Sequence, residues 1–195
     1  IAGILKQIAN DLSNLKIFSR RKIIIYKSYL PLQWELLLSL SLFEFPFYIS
    51  QSTPAFKNAL DYSSRELATQ ELSRVSINGL EHLTRSLLFK LVPSCYFENF
   101  SNLEKSVSEV RSFQSAKLIF TSNGFDFDEV FKLGVAKAKA NGARYIVGQH
   151  GAGYGSNRYE NPPIEEQTSD NFFTWGWAQE VIPKKQIPMF ALTLV

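Results

Sequence analysis

The chain has 195 residues, 45% hydrophobic and 14% aromatic, with a formal net charge of +3 from 21 Lys and Arg against 18 Asp and Glu. That suffices for one sizeable core and falls short of two full-sized domains, and so even a charge balance leaves no broad electrostatic footprint for nucleic acid. One cysteine, Cys95, and two distant histidines, His82 and His150, exclude an intramolecular disulfide, a multi-cysteine metal site and a histidine-rich zinc site, and imply a reducing compartment.

In chain order, apolar residues at positions 1, 4, 5, 8, 12, 15 and 18 predict an amphipathic helix over 1–18. Arg20-Arg21-Lys22, the densest basic cluster, reads as a solvated helix end. Ile23-Ile24-Ile25-Tyr26 is a β-branched run typical of a strand covered on both faces. Pro31 suits the first turn of a helix reaching about Leu42. The run from Leu36 to Phe47 is broken by Ser39, Ser41, Glu44 and Pro46, so no membrane span is indicated. Phe45 to Ile49 reads as a short extended piece with Pro46 at an edge, and 51–63 as a loop.

Leucines and Val75 from Ser64 to about residue 92 describe one long helix, interrupted near Asn78-Gly79 and stopped by Pro93. Residues 93–100 look irregular, and Ser101 with Glu104 has the spacing of a capping box. Lys117 to Thr121 is a strand, Ser122-Asn123-Gly124 a tight turn, and Asp126 or Asp128 opens a helix to about Ala140. Asn141-Gly142 closes that helix with left-handed C-cap chemistry. With Tyr145-Ile146-Val147 next, the order is that of a right-handed, parallel βαβ unit. Phe172 to Trp177 is a further short strand ending in a Trp-Gly-Trp turn, and 181–195 reads as a linker.

The stretch after Val147 carries the chemistry. Gly148 ends the strand, and Gln149, His150, Gly151, Gly153, Tyr154 and Gly155 follow. It is no Walker motif, since no Gly-Lys-Ser/Thr follows, and its Gly-x-Gly-x-Gly spacing misses the dinucleotide fingerprint. Glycine spacing alone also fits a plain flexible turn. What favours function is an imidazole, the side chain suited to general-base work, at a strand end beside Gln149 and Tyr154. Alternatively, His150 braces the loop. Asn123 and Gly124, after the preceding strand, should share its sheet edge and form the other wall of a crevice. Glu165, Glu166 and Asp170 are candidates to orient a base or hold a sugar hydroxyl. Trp175 and Trp177 are candidate sugar-stacking platforms, or plugs of the domain base. His82 reads as an ordinary helix residue.

Tyr145 to Gly155, followed by Ser169 to Trp177, resembles transferases of bacterial O-antigen and surface-carbohydrate gene clusters, as do Phe120 to Asn123 and Asp128 to Lys132. The likeness is good over about residues 93–190. A weaker one extends to capsule-polysaccharide and glycerophosphate-polymer transferases, which have two facing Rossmann-like domains in the glycosyltransferase B arrangement. The resemblance implies an α/β fold: a Rossmann-like parallel sheet with helices on both faces. Residues 1–180 would be the acceptor-side domain, and 181–195 would lead to a nucleotide-sugar domain. A chain that starts at Ile1 without Met fits the expectation of a piece of a longer protein, inactive alone.

By the same resemblance, His150 and Asp170 would be catalytic. Asn123, Gly124, Gln149, Gly151, Gly153, Tyr154, Gly155, Glu165, Glu166, Trp175 and Trp177 would bind substrate. No metal and no resident cofactor is expected. The donor would be a sugar nucleotide, and the acceptor a glycan or a lipid-linked molecule. The setting would be cytoplasmic, compatible with peripheral association at the inner face of the membrane. Two other readings compete: a non-catalytic Rossmann-like module that binds a nucleotide or glycan, and an interaction scaffold suggested by the aromatic excess and the long helix.

Overall fold

The computed structural model describes residues 22–42, 58–75, 78–156, 162–178 and 185–190, so the helix expected over 1–18 and the strand at 45–49 lie outside the described residues. Two compact units emerge, one from Ile1–Ser52 with Val107–Val195 and one from Thr53–Ser106.

The first unit is an α/β, Rossmann-like sheet of five parallel strands in the order β1-β2-β3-β4-β5. They are β1 (Ile23–Tyr26), β2 (Leu118–Thr121), β3 (Arg144–Gly148), β4 (Asn171–Trp175) and β5 (Gln186–Met189). Residues 186–189, expected in a linker, thus form a fifth strand. Pro188 is tolerated because β5 pairs only with β4 among the described strands, so a missing backbone donor costs no second ladder.

The register sorts the side chains by face. Ile24, Ile119 and Tyr145 share one face with Tyr26, Thr121, Val147 and Phe172, and all of them are buried. Each large apolar side chain buried there contributes about 1.5–3 kcal/mol. The opposite face carries Ile25, Phe120 and Ile146, with Ile23, Leu30, Leu118 and Phe173 packed against them. Both faces are therefore apolar, as the unbroken β-branched runs predict.

Around the sheet lie α1 (Leu32–Ser41), α5 (Ser112–Ser115), α6 (Gly124–Phe127), α7 (Glu129–Ala140) and α8 (Ile164–Thr168). Helix α1 leaves Trp34, Leu37 and Leu40 exposed. Strands in sequence order with crossovers of one hand send connecting helices to one side. Accordingly α7 packs Phe131 on Tyr26, ring centroids 4.8 Å apart, and Phe113 of α5 packs on Phe131 at 6.1 Å. Asp128 caps α7 by accepting from the Phe131 amide at 2.9 Å, and it also accepts the Tyr26 hydroxyl at 2.6 Å. The helix ends at Asn141, where Gly142 (φ 85°) donates to Lys139 O and Ala143 donates to Ala138 O, the paired bonds of a Schellman stop.

In the second unit the expected long helix is two, α2 (Tyr62–Ser73) and α3 (Gly79–Leu91). Asn78 begins α3 by accepting the Glu81 amide at 2.8 Å. Buried Arg65 forms a two-pronged pair with Glu98, at 2.6 and 2.8 Å, and its Nη1 donates to the carbonyls of Phe89 and Val92 at the end of α3. Helix α4 (Phe100–Glu109) starts one residue before Ser101, with the Leu103 amide on Asn99 O, so the capping box foreseen at Ser101 does not form.

Candidate functional site

Neighbouring parallel strands end together, so the loops after β1, β2 and β3 share the carboxyl rim of the sheet, where open α/β folds bind ligands. The first two loops are stitched together. The Ser122 amide donates to Lys27 O at 3.0 Å, Ser122 Oγ donates to Ser28 O at 2.8 Å, and Asn123 Nδ2 donates to the Tyr29 hydroxyl at 2.7 Å. These bonds hold Lys27 (φ 47°) and Tyr29 (φ 61°) in the left-handed region without glycine. Such strain costs about 1–3 kcal/mol per residue and clusters at functional rims. Gly124 meets a different demand: an added Cβ would lie 2.6 Å from the Tyr26 ring and 2.8 Å from Thr121 Oγ1.

His150 leaves β3 onto this rim beside the Asn123 loop, with about a quarter of its side chain exposed (24%). Its Nδ1 lies 2.8 Å from the Tyr154 hydroxyl, which donates to Glu165 Oε1 at 2.7 Å. A hydroxyl has one proton to give. With that proton on Glu165, Nδ1 must be the donor in the His150–Tyr154 bond, and in the neutral ring Nε2 keeps its lone pair. Nε2 faces Asp126 Oδ2 at 3.8 Å. Phe125 meets the imidazole edge-on at 5.7 Å between centroids, and Tyr29 lies nearly parallel at 6.4 Å. An imidazole linked through a tyrosine hydroxyl to a carboxylate, with Nε2 on a partly open rim 3.5 Å from that hydroxyl and 3.8 Å from Asp126, can take up a proton there.

Beside this cluster lies a cavity of about 490 Å³ between α7 and α8, with Tyr145 in its wall and Asp126 and Glu165 among its lining residues. Burial pushes the Tyr145 phenol up, and the nearby Glu165 and Asp126 carboxylates push it further, so the hydroxyl stays protonated. Among the described residues, no group of three or more His, Cys, Asp or Glu is placed to hold a metal ion. No helix among them is long and apolar enough to cross a membrane.

A model of the LIC12162 family, described as transferases, matches residues 2–194. The chain belongs to this family. No curated protein and no solved structure matches it.

Within this LIC12162-family chain, the rim brings together His150, Tyr154, Glu165, Asn123 and Gly124 of the residues singled out by sequence. The glycine loop folds into turns in which Gly151 and Gly153 need no left-handed backbone, whereas Gly155 does (φ 76°) and lies under the Trp177 ring. Gln149 is buried beneath the loop. Its Oε1 accepts from the Trp175 amide and from Trp177 Nε1, both at 2.8 Å, and its Nε2 donates to Gly151 O at 2.7 Å. It shapes the site from below.

Asp170 is not brought to His150. It precedes β4 at the amino end of the sheet, whereas His150 follows β3 at the carboxyl end; five strand residues separate the two ends, about 16 Å at 3.3 Å each. There it accepts from the Tyr145 amide at 2.7 Å and from Lys139 Nζ at 2.9 Å. Burial pushes its carboxyl up, but the Tyr145 amide, Lys139 and Arg144 together outweigh this and hold it below the ordinary value. Glu166 is 1% exposed and accepts Gln186 Nε2 on both oxygens at 3.0 and 3.1 Å, so it ties α8 to β5 instead of facing the rim. Asp126, which sequence suggested only as a helix start, is the rim's second carboxylate. Its signal was its place just after the β2 turn, on a sheet edge already suspected.

Proposed function

We propose that this LIC12162-family chain carries the acceptor-side site of a glycosyl- or sugar-phosphate transferase working in bacterial surface-polysaccharide assembly. The observation that carries the reading is the chain of hydrogen bonds from Glu165 through Tyr154 to His150 Nδ1, the shorter of the two Tyr154 contacts, which puts the ring proton on Nδ1 and the lone pair on Nε2 at the rim. In the proposed step, Nε2 takes the proton of an acceptor hydroxyl as its oxygen bonds to the donor's anomeric carbon or phosphorus. The bond from that centre to the nucleotide leaving group breaks, and the departing phosphate oxygen keeps the electron pair. Asp126, 3.8 Å from Nε2, then stabilises the imidazolium. The donor is a sugar nucleotide, held with the help of a facing nucleotide-sugar domain.

The test is release of nucleotide from a panel of sugar nucleotides by the full-length protein and by its His150→Ala variant. A lost general base costs about 10²–10⁴-fold in turnover. Glycosyl transfer retained at near parental rate in the variant would replace this reading with that of a non-catalytic binding module.

A further inference from the structure

The cavity between α7 and α8 has no role in the proton transfer just described, yet it shares two residues with it. Asp126 and Glu165 line the cavity, Asp126 faces His150 Nε2, and Glu165 anchors Tyr154. The rest of its wall is largely apolar: Phe125, Phe131, Val135, Ala136, Tyr145 and Ile164. A volume of about 490 Å³ lies within the range of small-molecule sites.

The polar groups at this wall have a definite sign. Lys132 and Lys139 contribute their stems, while their ammonium groups are engaged by Glu129 and by Asp170 with Thr168 O respectively. The carboxylates of Asp126 and Glu165 therefore dominate the cavity on the His150 side. Tyr145, 5% exposed, also lines the cavity. Kept protonated by burial and by those two carboxylates, its phenol can donate to a ligand at that wall. A ligand oxygen would satisfy it, and ligand O–H or N–H groups would satisfy the carboxylates. A phosphate would be repelled.

We propose that this cavity is the acceptor subsite and that it takes a non-anionic amphipathic molecule, an alkyl or aryl body ending in hydroxyls. The body lies among Phe125, Phe131, Val135 and Ile164, and a hydroxyl is presented past Asp126 toward His150 Nε2. The inference rests on the transferase reading of His150 for the word acceptor, but the binding it describes stands apart from catalysis. Phosphate-bearing donors are directed elsewhere on the rim by the same carboxylates.

The probes are n-alkyl β-glucosides below their micelle concentrations, with n-octyl phosphate as the anionic comparison, measured on the full-length protein by calorimetry and by chemical shifts of labelled tyrosine. Affinity should rise about threefold to fourfold per added methylene until the cavity is filled. Octyl glucoside should bind at least about tenfold tighter than octyl phosphate, and Asp126→Asn with Glu165→Gln should erase most of that margin. Ala136 is an exposed position at the cavity wall, so Ala136→Trp fills the space without burying a new group in the core, and it should weaken glucoside binding at least about tenfold. Equal or tighter binding of octyl phosphate, or undiminished binding by a folded Ala136→Trp protein, overturns the subsite. Loss of turnover in His150→Ala alongside such a failure would leave the general-base reading standing without it.

Discussion

Replacing Tyr154 by Phe removes one oxygen from the site and almost no volume. That oxygen accepts from His150 Nδ1 at 2.8 Å and donates to Glu165 Oε1 at 2.7 Å, so its loss cuts the imidazole from the carboxylate that fixes its tautomer. Hydrogen bonds that end on a charged group are worth about 1.5–3 kcal/mol, which corresponds to a bias of about 10- to 150-fold in tautomer ratio. With that bias gone, the neutral ring should move its proton from Nδ1 toward Nε2, where Asp126 waits 3.8 Å away. The base nitrogen is then occupied, and turnover should fall by at least about tenfold, less than the loss from removing the base itself. The assay is nitrogen NMR of histidine-labelled protein. It is tractable because the chain has only two histidines, and His82 in α3 serves as an internal reference. A parental His150 protonated on Nε2, or a Tyr154→Phe protein still protonated on Nδ1, would refute the reasoning.

Arg65, joined by the Asp61 amide, overcomes burial and holds the Glu98 carboxyl at about 2, against an ordinary value of 4.5. A depressed carboxylate contributes stability that is complete above 4.5 and is lost as pH falls toward 2, so helix content followed by circular dichroism should drop in that window, and Glu98→Gln should remove this acid-sensitive step. Gly134→Ala places a Cβ 2.4 Å from the Phe113 ring and should destabilise by about 1–3 kcal/mol in urea titration, despite alanine's better helix propensity. Gly153→Ala, with nothing within 4 Å of an added Cβ, should stay within about 0.5 kcal/mol in the same titration. Asp170→Asn loses a half-exposed pair with Lys139 and should cost below about 1 kcal/mol, leaving transferase turnover within about threefold because the residue lies at the amino end of the sheet.

What the sequence made legible was local. The runs Ile23 to Tyr26, Leu118 to Thr121 and Arg144 to Gly148 are β-branched or aromatic throughout their centres, and Asn141-Gly142 writes a helix stop into two residues, so β1, β2, β3 and α7 follow from short windows. The strand at β5 (Gln186–Met189) was hidden because Pro188 and the lysines before it in sequence look like linker composition, and only pairing along the edge of β4 makes a strand of 186–189. Of the site, the rim position of His150 followed from the βαβ order, and its partnership with Asn123's loop came with it. The Tyr154–Glu165 bond did not, because it joins a loop to a helix 11 positions on. Asp170 and Glu166 sit close to His150 in sequence but are carried away from it by strand direction and by the turn of α8. Residue type marked them, and only the register could place them.

Gln149 has a mechanical consequence. One amide side chain clasps the glycine loop through Gly151 O and the Trp-Gly-Trp turn through the Trp175 amide and the Trp177 indole. Lifting either segment breaks its bond to this one buried amide, so the two loops are expected to open together. Fluctuations that uncover His150 should then be all-or-none, with the Trp175 amide and Trp177 indole protons exchanging with solvent at one common rate. A ligand that rests on either loop would quiet both.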